Sequence, residues 1–124
     1  MHNLVSSTRR PDITFYRSGL IRLTARVTRT LQIRPGDSIN IAADNGELLI
    51  FAIHNNNPLI RRPATCYPTN HGNNMCANSI NLCRSLLDNL GITSNRAAFY
   101  VGYPIDIENT IYLPIITRNP IINP

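Results

Sequence analysis

Residues 18–33 read SGLIRLTARVTRTLQI, and residues 78–92 read NSINLCRSLLDNLGI. A shift of 59 positions aligns Ile21 with Ile80, Leu23 with Leu82, Val27 with Leu86, Leu31 with Leu90 and Ile33 with Ile92. In the first stretch the apolar period changes part-way. Ile21 and Leu23 are two apart, as on one face of a strand, whereas Val27 and Leu31 are four apart, as on one face of a helix. The spacing therefore predicts a short strand at Leu20–Leu23 followed by a short helix from about Thr24, a residue type suited to the N-cap.

Before this stretch, DITFYR (12–17) alternates, with Ile13 and Phe15 on one face, and Ser18-Gly19 reads as a turn. After it, Pro35-Gly36-Asp37 ends the helix, and SINI (38–41) alternates again. Asn45-Gly46 accommodates the positive φ of a type I′ turn, so Leu48–Ile53 is expected to return as the second strand of a hairpin. The later stretch has Asn78-Ser79 as caps, helical spacing from Ile80 to Leu90, and Gly91 as a stop. Ala97–Val101 and Ile111–Ile116 are apolar runs of strand type. The expected organisation is a basic arm at 1–11, a first unit at 12–54, a linker at 55–77, a second, degenerate helix–hairpin unit at 78–118 and an irregular tail at 119–124. The linker exceeds the roughly 12–15 residues of an ordinary loop, so it separates units or carries a site.

The residues Gly19-x-Ile21-x-Leu23, then Arg29-x-Leu31-x-Ile33-x-x-Gly36-Asp37-x-Ile39-x-Ile41 and the strand Leu48–Ile53, run without a gap. This first unit resembles the AbrB/MazE/SpoVT swapped-hairpin family. The resemblance implies that two copies exchange hairpins about a two-fold axis and close a small β-barrel that binds DNA, in transcription regulators or in antitoxins. A pairing of this kind also has a physical motive, because four short strands and one helical turn bury too little apolar surface alone. Residues 78–118 are a candidate second copy. They are also readable as an amphipathic helix packed on a hairpin. The expected fold class is thus mainly β with two short helices, an AbrB-like swapped-hairpin β-barrel formed as an intrachain pseudo-dimer or as a homodimer.

Composition bears on the partner. The net charge is +5, and all twelve basic residues are arginine. The planar guanidinium fork suits phosphates and base edges. Residues 9–34 hold Arg9, Arg10, Arg17, Arg22, Arg26, Arg29 and Arg34 against one acid, Asp12. The resemblance implies arginines on the outer barrel face, and this sequence departs from the family there. The position after the turn glycine is Leu20, with Arg22 two residues on. The first position of the helical arginine pair is Thr28, leaving Arg29, with Arg26 added. Thr24 replaces the usual proline. The expected duplex-DNA-binding set is Arg9, Arg10, Arg17, Arg22, Arg26 and Arg29, with the first two on a mobile arm. The competing account makes these arginines solvated charges, or partners of Asp37, Asp44 and Glu47.

Other chemistry is thinly represented. Cys66, His71, Cys76 and Cys83 form a C-x4-H-x4-C-x6-C set with zinc-ligand residue types, but no C-x-x-C knuckle is present and Cys83 fits the apolar face of its helix. An odd cysteine count fits reduced thiols. No nucleophile elbow, P-loop or HExxH occurs. The reading is therefore a non-enzymatic, cofactor-free cytoplasmic DNA-binding regulator. A barrel serving protein interaction without DNA is the first alternative. An antitoxin is the second, disfavoured because a long acidic tail is absent. No run reaches the roughly 18 apolar residues of a membrane span.

Overall fold

The structure, a computed structural model, describes residues 10–57, 59–70 and 72–122. The elements in chain order are β1 (Ile13–Tyr16), β2 (Leu20–Leu23), α1 (Ala25–Thr30), β3 (Ser38–Asp44), β4 (Glu47–Ile53), β5 (Tyr67–Pro68), β6 (Met75–Asn78), α2 (Ile80–Asn89), β7 (Arg96–Val101), β8 (Ile105–Ile107) and β9 (Thr110–Ile122). The fold is mainly β with two helices. Its strands form one strongly curled antiparallel sheet in the order β3-β4-β9-β7-β1-β2-β6-β5, with β8 attached to β9. The two ends of that path meet in a single bridge between Ser38 and Thr65. Around it the Cys66 N–H donates to the Asp37 carbonyl at 2.7 Å and the Ile39 N–H to the Ala64 carbonyl at 3.2 Å. The backbone groups at the two edges thus satisfy each other, which leaves less unpaired edge.

The pairing is crosswise. The β1–β2 hairpin pairs with β7 and β6, from the second half of the chain, and not with β3 or β4. The β3–β4 hairpin meets the second half through β9. If β2, α1, β3 and β4 are exchanged for β6, α2, β7 and β9, and β1 for residues 64–68, every strand pair named is reproduced except β8–β9, and the counterpart of β1–β7 is the single Ser38–Thr65 bridge. The shared core lies inside the curl. Phe15 of β1 and Phe99 of β7 meet edge-to-face with centroids 5.9 Å apart. Both helices close over them, Val27 from α1 and Leu87 from α2 being fully buried beside Ile13, Ile21, Ile50 and Leu113.

Turn chemistry sets several boundaries. Asn45 and Gly46 both have positive φ, at 49° and 81°, and join Asp44 to Glu47 as the sequence predicts. A second turn of the same kind, Glu108-Asn109 with φ of 49° and 68°, joins β8 to β9. As the helical spacing from Ile80 implies, the shift of 59 positions does not equate Ile21 and Leu23 of β2 with Ile80 and Leu82 of α2, because α2 is ten residues long against six for α1. Two expectations need correction. The expected linker carries β5 and most of β6, because the second half needs its own outer hairpin. The expected irregular tail continues β9 to Ile122. Its pairing slips opposite Phe99, between Ala98 and Tyr100, and Asn119 takes a positive φ of 55°, so the strand passes Pro120 and resumes at Ile121. Most of the expected arm, including Arg9, lies outside the described residues.

Candidate nucleic-acid interface

Arg22 projects from the outer face of β2, because Ile21 and Leu23 on either side point into the core. The strand registers place it in a row running Ala98, Thr14, Arg22, Cys76, Tyr67 across five strands. Its guanidinium lies 5.6 Å from the centroid of the Tyr16 ring, and that of Arg96 lies 5.8 Å from the same ring. Arginine over an aromatic face is an attractive arrangement that holds the planar cation in place. Arg10 lines a cleft of about 390 Å³ together with Arg22, Asp12, Thr14, Thr24 and Asn74. Asp12 is buried, and its carboxylate accepts the Val101 N–H at 2.9 Å, tying the start of β1 to the end of β7.

Arg26 and Arg29 are exposed on α1, whose buried face is Val27 and Thr28. Thr24 takes the cap position but its hydroxyl makes no cap bond. The Asn74 side-chain oxygen accepts the Ala25 N–H instead, at 2.8 Å. This contact pins the β5–β6 turn against the start of α1. On α2 the cap is local, Ser79 Oγ accepting the Leu82 N–H at 3.2 Å.

Arg17 is engaged elsewhere. Its Nη1 pairs with Asp88 Oδ1 at 2.9 Å, and its Nη2 and Nε donate to the carbonyls of Ile92 and Ser94. It is committed to the end of α2. Arg22, Arg26 and Arg29, by contrast, make no ion pair with any carboxylate among the described residues. No family model matches the chain. No curated protein and no solved structure matches it either.

The acids proposed as alternative partners lie elsewhere. Asp37 is buried. Its Oδ1 accepts the Asn55 N–H, and its Oδ2 accepts the Arg34 N–H and Nδ1–H of His54, the last at 2.7 Å. Burial alone would raise its pKa, but the bonds from Asn55, Arg34 and His54 prevail and hold it below the usual carboxylate value. Asp44 and Glu47 flank the β3–β4 turn.

The cysteines are dispersed. Cys66 is in the core and its thiol is pushed up to about 12, mainly by burial. Cys83 is on the buried face of α2, raised to about 11 by burial. Cys76 lies in the outer row beside Arg22. His71 lies outside the described residues, and among those described no three His, Cys, Asp or Glu side chains gather at metal-ligand spacing. Sequence reasoning missed Arg96, whose register opposite Tyr16 depends on a long-range pairing, and His54, which meets Asp37 only in the fold; the Arg34 N–H meets the same carboxylate within the local turn. Among the described residues no helix is long and apolar enough to cross a membrane.

Proposed function

We propose that this is a non-enzymatic, regulator-type DNA-binding protein, built from two tandem units as an AbrB-like swapped-hairpin barrel. The crosswise pairing of β1–β2 with β7 and β6 supports the fold reading, since each half lends a hairpin to the other. The observation that carries the functional reading is a separation of charge. Arg22, Arg26 and Arg29 face outward without acidic partners among the described residues, while Asp12 and Asp37 of the same half are internal. Arg22 stacked on Tyr16 supplies a fixed cation for a phosphate or groove edge, and Arg26 and Arg29 extend the contact along α1.

The test is duplex-DNA binding by the full chain at rising salt, comparing wild type with Arg22→Ala/Arg26→Ala. Each lost phosphate contact should lower the slope of log affinity against log salt by about 0.9, so the double variant should lose about twice that. Equal affinity and equal slope in the two proteins would reject the face.

A second reading, a barrel that binds protein, is favoured by the β8–β9 hairpin. Tyr103, in the connection that precedes β8, is 89% exposed, and Ile105 and Ile107 of β8 are also exposed. Among the described residues β8 pairs with β9 alone. Loss of partner capture in Ile105→Lys/Ile107→Lys, with no duplex binding by wild type, would favour this reading over the first.

A further inference from the structure

The two helices end alike. The N–H groups of Leu31 and Leu90 return to the carbonyls of Val27 and Leu86, those of Gln32 and Gly91 to Arg29 and Asp88, and those of Ile33 and Ile92 to Thr28 and Leu87. Gln32 and Gly91 both have positive φ, at 55° and 70°. Residues 59 apart are therefore equivalent across these helix ends, and the counterpart of Asp88 is Arg29, an inversion of charge.

The space beside the end of α2 is plugged. Arg17, from the β1–β2 turn, fills it by binding Asp88 and the carbonyls of Ile92 and Ser94. The space beside the end of α1 is open, a cleft of about 660 Å³. The described residues that face α1 there from the β5–β6 side are Pro68, Gly72, Asn73, Asn74 and Met75, none of them charged. The other wall carries Arg29, Arg34 and His54.

We infer that this cleft binds a phosphate group, held by Arg29 and Arg34. Two guanidinium forks offer paired donors to phosphate oxygens. His54, in the same wall, directs its Nδ1–H to Asp37, so the donors offered to a phosphate are the two guanidiniums. A helix C-terminus ordinarily disfavours an anion. Here the carbonyls of Val27, Thr28 and Arg29 already accept the returning N–H groups, so that opposition is blunted. Thr28, in the same wall, has a buried hydroxyl with no hydrogen-bond partner among the described residues. The phosphate is either part of a DNA backbone or part of a free phosphorylated molecule, and the site does not require the DNA reading to hold.

Calorimetric titration of the full chain with inorganic pyrophosphate, a 5′-mononucleotide and a short duplex separates these cases. Wild type should bind pyrophosphate. Arg29→Asp, which installs the charge of the other half, and Arg34→Ala should each weaken binding by about tenfold or more. Both residues are exposed, so folding should survive, which a circular dichroism melt checks. Arg22→Ala/Arg26→Ala should leave pyrophosphate binding unchanged, whatever it does to duplex binding. Displacement of pyrophosphate by duplex assigns the phosphate to DNA, and a mononucleotide that duplex does not displace assigns it to a free ligand. Wild type that binds no pyrophosphate, or variants that bind it as wild type does, would overturn the inference.

Discussion

Arg17 and Asp88 meet at 2.9 Å although 71 residues separate them in the chain, and the same guanidinium holds the carbonyls of Ile92 and Ser94. The contact fastens the β1–β2 turn of one half to the helix end of the other. The Asp88 side chain is 68% exposed, so the ion pair itself contributes little, whereas the part-buried carbonyl bonds contribute more. Arg17→Ala should therefore cost about 1–2 kcal/mol of stability in urea unfolding, and Asp88→Asn about 0–1 kcal/mol. Equal losses would show that the ion pair dominates. Arg17→Ala should also leave the salt slope of DNA binding unchanged, which separates this arginine from Arg22 and Arg26.

The same turn contains a position restricted to glycine. Gly19 has φ of +108°, and a Cβ built there would lie 2.8 Å from Ile80 Cγ1 and 3.0 Å from the Ile80 backbone nitrogen. The Ser79 N–H donates to the Gly19 carbonyl at 2.8 Å, so the turn cannot retreat from α2 without losing that bond. Gly19→Ala should cost about 2 kcal/mol or more, through φ strain and the clash together. Trimming the neighbour in Gly19→Ala/Ile80→Ala should not restore full stability, because the backbone contact and the φ remain. A single variant with the wild-type urea midpoint would contradict this account.

What the sequence disclosed follows from the range of the forces involved. The Asn45-Gly46 turn and the stop of α2 at Gly91 were legible because local backbone preference decides them, whereas α1 ends at Thr30 with a positive φ at Gln32, ahead of Pro35-Gly36-Asp37; the shift of 59 positions holds across Val27–Ile33 and Leu86–Ile92. The strand partners were not. Ile13 pairs with Phe99, and nothing in an alternating pattern names the strand opposite. Glu108-Asn109 turns without a glycine, and the strand beyond Asn119-Pro120 depends on a bulge, so neither boundary carried a strong signal. At the site, the exposure of Arg22 was readable from the period of its strand. The commitment of Arg17 was not, because all its acceptors come from the far end of α2. His54 has the pattern of an ordinary strand-end residue, and its contact with Asp37, 17 residues away, depends on the fold.

Asp37 should make stability pH-dependent. Its folded-state pKa lies below the ordinary 3.8, despite burial, because Asn55, Arg34 and His54 all donate to the ionised carboxylate. A group with a lowered folded pKa stabilises fully above its unfolded value, and the contribution is lost as pH falls through the folded one. Asp37→Asn should thus cost about 2–3 kcal/mol near neutral pH, where it leaves buried donors poorly matched. The gap between variant and wild type should narrow as acid protonates Asp37 in the wild type. Urea midpoints measured from neutral pH down to below 3.8 test this, and a gap constant over that range would contradict it.

The thiols should report on folding and not on metal. Cys66 is 1% exposed with its pKa raised to about 12 by burial, aided by the charge of Asp37, and Cys83 is fully buried and raised to about 11 by the same cause. The thiolate is the reactive form, so at pH 8 both are nearly unreactive on protonation grounds before access is considered. Cys76 is raised by burial as well, but Arg22 opposes that rise and the residue lies on the outer face, so it should react first. A disulfide reagent at pH 8 should label Cys76 slowly in the native protein, and Cys66 and Cys83 only at the rate of unfolding. Denaturation should release all three at once. Arg22→Ala should slow the labelling of Cys76, since it removes the one charge that favours the thiolate. Because the two most buried thiols stay protonated inside the core, a metal chelator should leave the melting temperature where it was. Rapid native labelling of Cys66 or Cys83, or a melting temperature lowered by chelator, would mean that the β5–β6 segment does not pack against the core as described.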